Sequence, residues 1–187
     1  MLKKPLMIVL GCSVIVVAIA YFASYAYVVD KTPKTVMAQI EGRIAKVAGG
    51  FNACRHNRNY GPRFGTVARA NPDSIVTSMS YDVSTGPVEL SGFTWPDYWS
   101  LSVYQHNTDN IFVVNDRQLP SDTFHVIITP TGRKLNAPEG AIIVESPTAT
   151  GIVLVRRFVV RQEDMPDALL NQDAMTCGMF TPSPDKA

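Results

Sequence analysis

Charge is missing from one long stretch and in balance elsewhere. From Pro5 to Val29 there is no Asp, Glu, Lys or Arg. Over the whole chain 17 basic residues face 16 acidic ones, so no net field exists to hold nucleic acid. Histidine is scarce, with three copies, His56, His106 and His125, and none stands in His-x-His or Glu-x-x-His spacing. That gives no support to a strand-borne metal site of histidines with a carboxylate such as Asp73 or Asp109. No Ser lies in Gly-x-Ser-x-Gly, and neither a phosphate loop nor a dinucleotide fingerprint is present. Cysteine is equally sparse, with three residues and no Cys-x-x-Cys. No catalytic residue and no cofactor is therefore assigned.

The uncharged run is the first positive feature. At ~1.5 Å per residue it covers the ~30 Å of a bilayer core. Tyr21, Phe22, Tyr25 and Tyr27 suit an aromatic belt at its far end. Lys3 and Lys4 precede it, so the positive-inside rule keeps residues 1–4 in the cytoplasm and exports the rest across a bacterial inner membrane into the periplasm. The lipid bilayer is then the partner of residues 5–29. Two rivals are a signal peptide cut near Ala18-Ile19-Ala20 or Ser24-Tyr25-Ala26 and a lipoprotein processed at Gly11-Cys12. Apolar sequence continues past Ala20 and Cys12, which favours a lasting anchor. Cys12 reads as filler in the run, leaving Cys54 and Cys177 as an even pair in an oxidising space, where a disulfide is expected. The alternative for these two is a reactive thiol or metal ligand.

Residues 30–50 read as an amphipathic helix or stalk. Thr32 is placed as N-cap with Pro33 in the first turn, and Val36, Ile40, Ile44 and Val47 fall on one face. Gly49-Gly50 ends it. An irregular basic stretch, FNACRHNRNYGPRFGTVARA, follows with Arg55, Arg58, Arg63 and Arg69. It reads as a loop whose arginines pair with carboxylates rather than as a lipid-headgroup site.

From residue 74 onward strands dominate. Alternation marks Ser74 to Asp82, Val88 with Leu90, Tyr98 to Gln105, Ile111 to Val114, Phe124 to Thr129, Ala141 to Glu145 and Ile152 to Val160. Turn chemistry separates them at Ser84-Thr85-Gly86-Pro87 and at Asn107 to Asn110. A short closing helix capped by Asp164 includes Pro166, Ala168, Leu169, Leu170 and Met175. The fold class is mainly β, a sandwich or barrel over residues 51–180, with a loose polar tail at 181–187.

The blocks RANPDSIVTSMSYDVSTGPVEL, YWSLSVYQHNTDNIFVVNDR and APEGAIIVESPTATGIVLVRRFVV together resemble the domain of unknown function 1254 (DUF1254) family. The matching positions are Arg69, Asn71, Asp73, Gly86-Pro87, Tyr98-Trp99, Asn107 to Asn110 and Pro147-Thr148. Within that family the chain looks like the short, single-pass members in Gram-negative bacteria. The resemblance implies a jelly-roll-like antiparallel β-sandwich. Longer relatives carry a second domain, of the DUF1214 type, which is absent here. The resemblance therefore implies a sister-domain envelope protein as partner in trans, and it implies no activity.

Two functional readings compete. In the first, the exported sandwich is a non-enzymatic binding or assembly module. In the second, it is an envelope enzyme or a sugar- or lipid-binding module. Its ligand cleft would be lined by Trp95, Tyr98, Trp99 and Tyr104 beside His106, Asn107, Asp109 and Asn110. The bland counterpart places the tryptophans in the core and the Asn and Asp side chains in a turn. Arg69, Asn71 and Asp73 read more readily as backbone caps and an ion pair than as ligands.

Overall fold

A computed structural model describes residues 4–58 and 73–182. Lys3, Arg63, Arg69, Asn71 and most of the tail lie outside the described residues.

The apolar run is helical. Helix α1 (Lys4–Ala26) has 23 residues, about 35 Å at the α-helical rise, long and apolar enough to cross a bilayer. Its described side chains are exposed throughout, so nothing in the protein covers them. The helix does not stop at the end of the apolar run. A wider, π-type turn (Tyr27–Lys31) leads directly into α2 (Thr32–Ala48). Thr32 is therefore inside a continuous helix and not its N-cap. Its backbone N–H reaches back five residues to the Tyr27 carbonyl, and its hydroxyl donates to the same oxygen at 3.1 Å. Pro33 supplies the reason. Its ring would strike the Val29 carbonyl in a tight α-turn, and a wider turn relieves that clash without breaking the rod. Gly49, at φ 89°, ends α2, and Gly50 N–H donates to the Ala45 carbonyl at 2.9 Å.

The buried face of α2 differs from the expected one. Met37, Glu41, Ile44 and Ala45 are buried, while Val36, Ile40 and Val47 are exposed. The apolar pattern misled because one of the inward residues is a carboxylate.

The remainder is a two-sheet sandwich. The strands are β1 (Arg55–Asn57), β2 (Ser74–Asp82), β3 (Val88–Phe93), β4 (Trp99–Gln105), β5 (Asn110–Asn115), β6 (Thr123–Pro130), β7 (Ile142–Ser146), β8 (Thr150–Phe158) and β9 (Thr176–Met179). One sheet runs β1-β2-β8-β4-β5 and the other β7-β6-β3-β9. Pairing is antiparallel except for β6 with β7, which run parallel, with Ile127 opposite Ile143. That parallel edge departs from an all-antiparallel expectation. It follows from the connection 131–141, which returns the chain along the sheet instead of folding it into a hairpin.

Alternation fills the space between the sheets. Ile75, Met79 and Tyr81 from β2, Leu101 and Val103 from β4, and Val153 and Val155 from β8 point inward. Val88 and Leu90 from β3 and Val126 and Ile128 from β6 meet them. Across the gap the Trp99 and Phe124 rings stack with centroids 5.6 Å apart. Burial of each such side chain contributes about 1.5–3 kcal/mol. Helix α3 (Met165–Asp173) closes one end with Met165 and Ala168. Asp164 precedes it but does not cap its backbone; its carboxylate instead accepts two bonds from Arg161 at 2.9 and 3.0 Å.

Cys54 and Cys177 form the expected disulfide, with Cα atoms 5.4 Å apart. Cys54 directly precedes β1 at the edge of one sheet, and Cys177 lies on β9 at the edge of the other. The bridge therefore pins the two sheets together along one side of the sandwich.

Candidate functional site

The eight aromatic and polar residues singled out above do not share one environment. Trp99 is core, 2% exposed. Trp95 is buried nearby and its indole N–H donates to the Phe158 carbonyl at 2.8 Å. Tyr98 alternates to the outside and is exposed. Tyr104 packs beneath α2 with Met37, Ile44 and Ile152. Burial alone would raise its hydroxyl pKa, but hydrogen bonds with Arg156, Asn110 and Ser102 and the Arg156 charge outweigh that and bring it below the ordinary value. Tyr104 and Asn110 are thus brought together.

Asn107 and Asp109 lie in the β4–β5 turn and bond to each other. Asn107 Nδ2 donates to Asp109 Oδ2 at 2.7 Å, and the Asp109 N–H donates to Asn107 Oδ1 at 3.1 Å. Thr108 between them has φ 78°, a left-handed conformation that the two flanking side chains stabilise. Asp73 lies at the entry to β2, where its carbonyl accepts the Val159 N–H at 2.8 Å. Among the described residues no group of three or more His, Cys, Asp or Glu side chains gathers as a metal ion would require.

The polar cluster that does assemble is a seam between α2 and the first sheet. Glu41 is 4% exposed. His106 Nδ1 lies 3.1 and 3.2 Å from its two carboxylate oxygens, and the Thr150 hydroxyl donates to Oε2 at 3.1 Å. The Ser80 hydroxyl donates to the Glu41 backbone carbonyl at 2.8 Å. His106 is held in turn, since its N–H donates to Thr148 Oγ1 at 3.0 Å. The seam continues inward, where the Tyr81 hydroxyl lies 2.9 Å from Ser146 Oγ and burial raises its pKa. Of this seam His106 was singled out as a candidate ligand residue and Thr148 only as part of the family pattern. Glu41 reads as one charge among many on a helix, and only the tertiary fold brings it to His106 and Thr150.

A second buried polar group lies under α3. Arg157 is 1% exposed and directed between the sheets, in register with Ile75 and Trp99. Its Nε donates to Asn171 Oδ1 at 2.5 Å, and Asn171 Nδ2 donates to the Thr94 carbonyl at 2.8 Å. Burial lowers the Arg157 pKa to about 10. Sequence reasoning missed it, although a signal existed: Arg157 is in phase with Val153 and Val155 on a strand of period two. At the neighbouring edge, His56 Nδ1 is 3.0 Å from Thr77 Oγ1, and Arg58 pairs with Asp173. Burial first, then the charge of Arg58, holds the His56 pKa below 6.5.

The sequence of residues 51–179 matches the family described as "Protein of unknown function (DUF1254)". A search of curated proteins finds no match. The VPA0106 protein from Vibrio parahaemolyticus is similar in structure, with TM-score 0.55 and 17% identity over 63% of this chain and 32% of that one. This chain thus spans about a third of that protein's length. A putative uncharacterized protein from Burkholderia cenocepacia aligns with TM-score 0.45 and 16% identity over 80% of this chain and 43% of that one. The Vibrio likeness agrees with the sandwich fold described above.

Proposed function

The chain belongs to the DUF1254 family, and from that premise we propose that it is a membrane-anchored, periplasm-facing binding module that works by assembly rather than catalysis. Its partner in this reading is an envelope protein of the sister, DUF1214 type, which longer relatives carry in the same chain. The observation that carries the reading is the join between anchor and sandwich. An uninterrupted helix runs from the apolar span to Ala48, and its last turns are fixed to the first sheet through Glu41, His106, Thr150 and Ser80. A flexible tether would let a soluble enzyme roam. A docked helix instead holds one face of the sandwich at a set height and orientation above the bilayer, which suits a component of a fixed assembly. The Cys54–Cys177 bridge fits an oxidising compartment and so supports export.

The test is co-purification of the tagged full chain from membranes in mild detergent. Recovery of a DUF1214-type protein in near-equal amount is the expected result. Recovery of this chain alone, with the candidate partner present in the same membranes, would overturn the pairing. For orientation, a reporter fused after Ala187 is expected to be active only in the exported compartment.

A further inference from the structure

Arg157 carries five guanidinium N–H donors and uses one. Nη1 and Nη2 are sealed from solvent and make no hydrogen bond, whereas Nε is bound to Asn171. The next residue on α3, Gln172, is 0% exposed, and its Oε1 and Nε2 are likewise sealed and unbonded. Two of these atoms belong to Arg157, which meets α3 through Asn171, and two to a residue of that helix. Unmet buried donors are costly, and an unpaired buried charge more so. Folded proteins rarely leave such groups empty-handed.

Among the described residues no acid answers the charge. Asp173, close by, is engaged by Arg58. Among the described residues no carboxylate pairs with Arg157, and the sequence from 59 to 72 contains neither Asp nor Glu. His56 feels the charges of Arg58, Asp173 and Arg157 together, and of these Asp173 and Arg58 are paired with each other. The orientation of the guanidinium is fixed. Asn171 is itself held by the Thr94 carbonyl, so its Oδ1 locks Arg157 Nε and turns the paired Nη groups the other way.

We propose that Arg157 is the anchor of an internal oxyanion site, in which a small carboxylate or phosphate is gripped by Nη1 and Nη2. A guanidinium fork matches both anions in spacing and charge. The surface depression of about 470 Å³ beside Asn171 is a poor route for an anion, since Asp122 and Asp167 line it. The site is independent of the pairing proposed above and stands or falls separately.

The experiment is equilibrium dialysis of the full chain in detergent micelles, first freed of phosphate and carboxylates. Labelled inorganic phosphate and labelled acetate are titrated in turn, with chloride holding ionic strength constant. Saturable binding of one of them, near one per chain, is expected, and which one binds separates the tetrahedral from the planar ligand. Arg157→Lys keeps the charge and loses the fork, so affinity should fall at least about tenfold. Arg157→Met should abolish binding in folded protein. If neither anion binds the parent chain, water fills the site and the proposal fails. It fails equally if Arg157→Lys binds as the parent does, a readout that holds even where Arg157→Met does not fold.

Discussion

Breaking the Cys54–Cys177 bridge should loosen the sandwich along one whole side. The bridged residues are separated by 123 positions, so the bond closes a loop that includes nearly every strand. On the chain-entropy account, a closed loop of this size lowers the unfolded state's entropy by an amount equivalent to about 5 kcal/mol at room temperature. For a folded unit of roughly 130 residues, 1 kcal/mol corresponds to about 3–4 °C in Tm. Loss of the bridge should therefore lower Tm by about 15–20 °C. The chain suits a simple assay. Its two tryptophans, Trp95 and Trp99, are both buried in the sandwich, so intrinsic fluorescence follows its unfolding and not that of α1. Thermal melts of the full chain in detergent would compare the oxidised protein, the reduced protein and a Cys54→Ser/Cys177→Ser variant. A drop smaller than about 5 °C in both would refute the reasoning, because it would mean that the unfolded chain is already compact or the edge strands contribute little.

Three further outcomes follow from particular contacts. Gly151→Ala would place a methyl group 2.2 Å from the Tyr104 carbonyl and 2.4 Å from the Tyr81 hydroxyl, so β4 and β8 must part locally; a loss of at least about 2 kcal/mol in denaturant melts is expected, and an unchanged midpoint would contradict it. Glu41→Ala leaves the Thr150 hydroxyl and His106 without their buried acceptor and should cost about 1–3 kcal/mol, with faster protease cleavage near Gly49-Gly50; equal cleavage rates would count against the docked helix. The folded His56 pKa lies below 6.5, so the unfolded chain binds this proton more readily. Stability from this group is full above 6.5 and declines as pH falls through 6.5 toward the folded value. His56→Asn should flatten that slope between about pH 7.5 and 5.5, and a slope unchanged by the substitution would place its origin elsewhere.

The central strands were legible because their period of two is clean. Ile75, Met79 and Tyr81 alternate inward just as the apolar pattern requires. The edges were not. Arg55–Asn57 is too short and too polar to show a period, and it becomes a strand only because β2 offers an open edge. Thr176–Met179 joins β3 in the same way, and the disulfide holds it there. The helix face at α2 was misjudged for a different reason. Hydrophobicity cannot register a carboxylate whose partners, His106 and Thr150, arrive from 65 and 109 positions away. The same blindness hid Arg157, whose inward phase was readable while its charge argued for solvent.

The wide turn at Tyr27–Lys31 has a mechanical meaning. In a helix each residue advances the azimuth by about 100°, so the extra residue accommodated there fixes the compass bearing of everything above it. Removing one residue from the regular helix before that turn, where no wide turn absorbs the change, would swing the sandwich by about a quarter-turn around the helix axis, with every contact inside the sandwich intact. Any neighbour that meets this protein side-on would then find a different flank presented to it.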